Sequence, residues 1–358
     1  MNPLGEHIAR LIEAQGPLSV AQFMTIALHD PLDGYYSTHQ PFGAEGDFIT
    51  APEISQMFGE LLGLWIAQVW HDQGRHTPVR LIELGPGRGT LMADALRAMK
   101  LMPEILAALD VVLIEASPAL QKMQAEMLKD AGAKLSWATQ FSDTLADRPV
   151  FVLANEFFDA LPIRQYAKTE RGWCERMVVV ESGKLAFALA PVPVAGPAIP
   201  TAHGEVEDGA IYEVSPAATA LTEEIARAIA TKGGAALIVD YGYSEMGFGE
   251  TLQAVGHHEF RNVLETPGEI DLSAHVNFPA LADAARHGGA AVFGPVPQGN
   301  FLTDLGIEAR AEILSGAKGA PPDDIRSRMD RLVLADQMGL LFKALAILPS
   351  NAPTPPGF

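Results

Sequence analysis

The chain predicts an open α/β fold, a mostly parallel sheet with crossover helices on both faces. A helical annex precedes it and a hairpin-bearing insertion interrupts it. Three observations predict this architecture. From residue 79 onward, short apolar runs alternate with amphipathic helical stretches, the pattern of strand–helix–strand units. The first run, Leu81-Ile82-Glu83-Leu84, leads into glycines at alternate positions (Gly85, Gly87, Gly89) and then a helical segment. The chain has 358 residues, 48% hydrophobic and 19% charged, enough for a sizeable buried core.

Residues 4–30 carry apolar side chains at helical spacing in two stretches separated by Gly16 and Pro17. A turn-rich stretch over 30–47 follows, and a long apolar helix is expected over 53–73; together they make an N-terminal helical annex, 1–75. Strands are expected at 79–84, 110–115, 134–138, 149–154 and 235–241, with helices such as 91–100 and 118–131 between them. These form a core of 76–162 and 213–348. The intervening 163–212 alternates in the β manner over 176–180 and 184–189 and then turns Pro- and Ala-rich, which reads as a hairpin-bearing flap. Further on, a pair of strands is expected near 256–261 and 290–293, then a final helix over 323–347. The tail 349–358 contains four prolines and is expected to be disordered.

Composition narrows the function. A net charge of −19 argues against general nucleic-acid binding, which needs clustered Lys and Arg. No apolar run approaches the roughly 20 residues that span a membrane. One cysteine, Cys174, leaves no internal disulfide or Cys-cluster metal site. The first residues lack signal- or transit-peptide features, so a cytoplasmic protein is expected. The sequence leaves the oligomeric state open.

The glycine loop points to a ligand. Glycine lets a ligand approach the backbone where a Cβ would obstruct it. A dinucleotide fingerprint needs its third Gly at position 90, which is Thr90, and a P-loop needs Gly-Lys-Ser/Thr. Glu83 followed by Gly85-x-Gly87-x-Gly89 instead resembles motif I of class I S-adenosyl-L-methionine (SAM) methyltransferases, which implies a Rossmann-like sheet and S-adenosyl-L-homocysteine as product. Glu115, ending the second strand, is placed to accept hydrogen bonds from ribose hydroxyls, as its counterpart does in dinucleotide folds.

Asn155-Glu156-Phe157-Phe158-Asp159-Ala160-Leu161-Pro162 begins where the fourth strand ends. Glu156 and Asp159 suit planar recognition of a guanidinium; Asn with Pro and an aromatic also suits an amide or adenine acceptor. In the segment 46–60, Thr50 is placed as a helix N-cap next to the cofactor, with Pro52 and Glu53 in the first turn. Asp47 is a supporting carboxylate. His275, on an apolar segment, is a core residue or a supporting base. His257-His258-Glu259 lacks metal-ligand spacing on a strand.

The segments 46–60, 81–90 and 154–162, with Ile238-Val239-Asp240-Tyr241-Gly242 and Asp271-Leu272-Ser273-Ala274-His275-Val276-Asn277-Phe278, occur here in order. Together they resemble the MidA family, the complex I assembly-factor type, over about residues 4–345. The resemblance implies a SAM-dependent protein arginine N-methyltransferase whose protein substrate is a core subunit of NADH:ubiquinone oxidoreductase. The candidate catalytic residues are Glu156, Asp159 and Asn155, with Asp47 and His275 as supports, and the candidate cofactor contacts are Glu83, Gly85, Gly87, Gly89, Glu115 and Thr50. The chain departs at Asn277, where the motif has Asp. Two other readings remain: a non-catalytic SAM-binding assembly chaperone, and a methyltransferase for another amide or small-molecule acceptor.

Overall fold

The computed structural model describes residues 1–38, 49–145, 147–194, 206–256, 259–316 and 321–358. Its centre is a sheet of β1 (Val79–Leu84), β2 (Leu109–Ile114), β3 (Lys134–Ala138), β4 (Val150–Asn155), β5 (Gly234–Tyr243), β6 (Ala291–Pro297) and β7 (Phe342–Leu348). The spatial order is β6-β7-β5-β4-β1-β2-β3. The first five strands are mutually parallel, and β7 runs antiparallel to both its neighbours.

The central strands are largely apolar on both faces because helices cover both. Leu81, Val111, Phe151 and Leu237 face a core shared with the helices Gln56–Asp72 and Thr90–Met99. Their neighbours Ile82, Val112, Val152 and Ile238 face the other core, packed by Pro216–Lys232 and Phe278–His287. The chain builds outward from β1 through β3 and then returns to place β4 on the other side of β1. At such a reversal the carboxyl ends of the two adjacent strands open a crevice.

The expected annex divides in two. Residues of Gln56–Asp72 belong to the main core; a Cβ on Gly63 would stand 2.6 Å from the Ala95 backbone, so that helix lies directly on Thr90–Met99. Close contact here fixes the preceding turn against the glycine loop. The helices Pro3–Gln15 and Val20–His29 instead bury Leu4, Ile8, Phe23, Met24 and Leu28 against Ile163, Val178 and Leu185 of the insertion. Burial of each such side chain contributes roughly 1.5–3 kcal/mol. Ser19 starts the second helix with a capping box to Gln22. The insertion is more than a hairpin: Arg164–Thr169, Gly172–Glu181, Lys184–Leu189 and Ile211–Val214 form one sheet with Leu18–Ser19. The Pro- and Ala-rich stretch lies largely outside the described residues.

Four expectations change. The long helix at 53–73 is broken at Ser55, whose extended backbone (φ −157°) separates Ala51–Ile54 from Gln56–Asp72. The helix expected over 323–347 ends at Val333, and a short helical turn, Met338–Leu341, follows; 342–348 is strand β7, buried throughout, so its sequence has no alternation to distinguish it. The strands near 256–261 and 290–293 do not pair with each other. Gln253–Gly256 joins Glu259–Arg261 and Asp271–Ser273, whereas β6 pairs with β7. The tail 349–358 is not disordered: Trp65 Nε1 donates to Pro356 O at 3.1 Å, and the rings of Phe301 and Phe358 pack 5.3 Å apart.

Candidate active site

The glycine loop leaves β1 with Gly85, Gly87 and Gly89 all at positive φ (62°, 52° and 87°). A Cβ on Gly85 would come within 2.8 Å of Phe157 Cδ2. The left-handed backbone and the crowding both require glycine. A buried side chain that sequence reasoning missed holds this loop. Gln124 Nε2 donates to Gly87 O at 2.7 Å and to Glu115 Oε2 at 3.2 Å, while Gln124 Oε1 accepts from Trp137 Nε1 at 2.8 Å. Glu115, just beyond β2, also accepts from Ser117 N–H at 2.8 Å. Its carboxylate is thus held by two donors, and burial shifts its pKa upward. A single glutamine in an amphipathic helix carries no local signal; the indole N–H of Trp137, needing a partner once covered, is the nearest one.

At the end of β4 the chain turns sharply. Glu156 adopts φ 49°, and its carboxylate Oε1 accepts from Ala51 N–H at 2.9 Å and Asn155 Nδ2 at 3.2 Å. The turn Ala51–Ile54 therefore meets the loop after β4 at this carboxylate. Burial pushes the Glu156 pKa up to about 7, with the Asp159 charge adding to it. Asp159 is pushed up to about 6 by burial, against a hydrogen bond from Tyr241. Behind them, fully buried Asp240 accepts the backbone N–H groups of Phe157 (3.1 Å), Phe158 (2.9 Å) and Asp159 (3.3 Å) on Oδ2. Its Oδ1 accepts from Tyr241 N–H at 2.9 Å. Asp240 thus shapes the loop that carries both candidate carboxylates.

Glycine loop, Thr50 turn and the end of β4 enclose a cleft of about 410 Å³, reached by Glu53, Glu83, Arg88, Asn155 and Glu156. Thr50 stands at the N-cap position but makes no side-chain capping bond. Thr90 Oγ1 donates to Glu53 Oε1 at 2.6 Å. Buried Glu83 Oε2 and Asn155 Oδ1 have no hydrogen-bond partner among the described residues, nor does Asp159 Oδ1. Burial alone pushes Glu83 up to about 8. Orphaned acceptors beside a cradle that a Cβ would fill fit a ligand with an ammonium group and a sulfonium. The SAM cofactor has both.

His275 stands elsewhere. Its ring meets Tyr241 edge-on at 5.4 Å and lines a separate pocket of about 380 Å³ with Glu213 and Tyr243. Burial and Lys343 lower its pKa, which favours the neutral ring, but the ring does not line the cleft, where a supporting base was expected. Asn277 caps the helix Phe278–His287 by accepting from Ala280 N–H at 3.0 Å, a task Asn performs as well as Asp. Asp47, His257 and His258 lie outside the described residues.

Residues 61–296 match the family described as "Putative S-adenosyl-L-methionine-dependent methyltransferase". The chain belongs to this family. The methyltransferase is 36% identical to the rat mitochondrial "Protein arginine methyltransferase NDUFAF7", with 98% of this chain and 85% of that protein covered. The human protein of the same name is also 36% identical, over 98% of this chain and 84% of its own length. A COG1565 superfamily member from Burkholderia thailandensis, crystallised with S-adenosyl-homocysteine, superposes with TM-score 0.84 at 28% identity, covering 99% of this chain and 93% of that one. The fold is that of a class I SAM methyltransferase, and the cofactor is SAM. One expectation is overturned: the curated relatives are mitochondrial proteins, so the cytoplasmic assignment does not stand. None of the described helices is long and apolar enough to cross a membrane.

Proposed function

We propose that this methyltransferase methylates an arginine side chain of a partner protein, a core subunit of NADH:ubiquinone oxidoreductase during its assembly. The observation that carries the proposal is the pair Glu156 and Asp159, close enough for one charge to raise the other's pKa, with Asp159 Oδ1 lacking a partner. Glu156 lines the cofactor cleft and Asp159 lies near it in the same loop, and two neighbouring carboxylates suit a planar cation with a fork of donors. The relatives named protein arginine methyltransferases, at 36% identity, and the resemblance to the MidA family support the same acceptor.

The bound cofactor supplies a methyl group already activated on a sulfonium. What remains for the chain is to align and polarise the acceptor. Asp159 and Glu156 grip the guanidinium and draw charge toward the nitrogen facing the cleft. As that nitrogen gains the methyl group it loses a proton, which Glu156 takes and passes to solvent; a base with pKa near 7 suits this transfer. Asn155, bonded to Glu156, keeps the carboxylate in place.

The test is incubation of the purified protein and a co-expressed core subunit with labelled SAM, followed by peptide mass spectrometry. Methyl-arginine is expected with wild type and not with Glu156→Gln. Tight S-adenosyl-homocysteine binding without any methyl-arginine would overturn the catalytic proposal and favour a SAM-binding chaperone.

A further inference from the structure

We infer that Tyr36 is a binding residue of the acceptor site. Its hydroxyl oxygen accepts an N–H of the arginine guanidinium beside Asp159, and Asp271 fixes that hydroxyl's direction. The inference rests on the proposed reading of arginine as acceptor.

Tyr36 belongs to the short helix Tyr35–Thr38, which follows the two N-terminal helices. Its ring packs against Tyr35, edge-on at 5.4 Å, and against His29 at 5.5 Å. The hydroxyl donates to Asp271 Oδ1 at 3.1 Å. Backbone contacts keep this pair beside Asp159. A Cβ on Gly268 would collide with Asp33 O, so the turn before Asp271 lies directly on the turn before Tyr35. Past the other end of the strand Asp271–Ser273, Ala274 N–H donates to Asp159 O at 2.9 Å.

Burial, with the charges of Asp271 and Asp159, raises the Tyr36 pKa well above its ordinary value, so the hydroxyl keeps its proton. That proton is committed to Asp271. A phenolic oxygen also has acceptor lone pairs, and no described residue donates to this one. Asp159 Oδ1 is likewise an acceptor without a described partner. Tyr241, by contrast, is already engaged, giving a hydrogen bond to Asp159 and taking one from Gln253 Nε2 at 3.3 Å. Waiting acceptors on two different segments suit a guanidinium, whose five N–H donors point outward in one plane. The rival role is structural: the Tyr36–Asp271 bond would only pin the N-terminal helices to the strand Asp271–Ser273.

Methyl-transfer kinetics of the full chain on the purified core subunit, with isothermal titration of S-adenosyl-homocysteine, separate the two. Tyr36→Phe should raise KM for the subunit roughly 10- to 100-fold, with kcat and S-adenosyl-homocysteine affinity unchanged. Asp271→Asn loosens the hydroxyl's hold and lets its proton turn toward Asp159. It should raise the same KM, so the inference stays testable even if Tyr36→Phe fails to fold. Because Asp271 acts through Tyr36, the double variant should match Tyr36→Phe alone. A lowered Tm with wild-type KM in both single variants would leave only the structural role and overturn the inference. So would additive losses in the double variant, which give Asp271 its own contact with the acceptor. Wild type that labels no arginine overturns the proposed function and this inference together. Where wild type does label arginine, the KM values decide this inference alone.

Discussion

Asp240 Oδ2 accepts the backbone N–H of Phe158 at 2.9 Å, joining the end of β5 to the loop that follows β4. The same oxygen takes the N–H groups on either side. Three successive donors around one carboxylate oxygen form an anion nest, here filled by the protein itself. Glu156 can hold its left-handed backbone because the residues after it are tied down.

Removing that carboxylate should therefore damage activity and stability together. Asp240→Ala removes the side-chain acceptor of four backbone N–H groups, at a cost of about 2–5 kcal/mol of folding stability. Turnover should fall by roughly 100-fold or more, because small displacements of catalytic groups are costly. Asp240→Asn keeps one acceptor oxygen for the nest but turns an amide toward Tyr241 N–H, so it should lie between wild type and Asp240→Ala. Urea denaturation and methyl-transfer rates measure both effects. Full activity in Asp240→Ala would show that the loop holds its shape without the nest.

Acidity at the loop sets a pH dependence. Glu156 must be ionised to grip a guanidinium and accept a proton, and burial places its pKa at about 7. Below that value the group is protonated and neutral, so kcat/KM for the acceptor should fall as pH drops through about 7 and level off above it. With the cationic acceptor bound, the carboxylate is held ionised to lower pH, so the kcat profile should shift to the acid side. Glu156→Gln should lose the limb along with most of its activity. A kcat/KM flat from pH 6 to 8 (roughly one pKa unit each side) would remove Glu156 from this role.

Much of the fold was legible because β1 and β3 are short strand-like runs bounded by turn residues, and their observed limits coincide with the expected ones. Legibility failed where burial is uniform. Phe342-Lys343-Ala344-Leu345-Ala346-Ile347-Leu348 is covered on both faces and follows an amphipathic helix, so the helical period appeared to continue through it. In the tail, prolines suggested a free coil, but local composition says nothing of the Trp65 N–H or the Phe301 ring it meets. Within the cleft, the glycines and Glu115 could be read from spacing along one strand–loop–helix unit. Gln124 and Asp240 could not. Their partners lie 37 and 82 residues away, and nothing local separates Asp240 from any other acid near the end of a strand.

Glu83 gives the sharpest link between cofactor and stability. Its folded pKa, about 8, stands above the ordinary value of 4.5, and burial is the cause. The unfolded chain gives up this proton more easily than the folded one. Folding is therefore unpenalised below about pH 4.5 and loses stability as pH rises, until the folded group also ionises near 8. Glu83→Gln cannot ionise and should make the cofactor-free protein more stable at pH 8, by about 1–3 kcal/mol, with little change at pH 5. Cofactor binding should invert the ranking. An ammonium against Glu83 favours the ionised carboxylate, so S-adenosyl-homocysteine should raise the Tm of wild type more than that of Glu83→Gln at pH 8. Thermal melts of both proteins at the two pH values, with and without ligand, measure this. If the two proteins differ equally at pH 5 and pH 8, Glu83 ionises as easily in the folded cleft as in the unfolded chain, and burial does not raise its pKa.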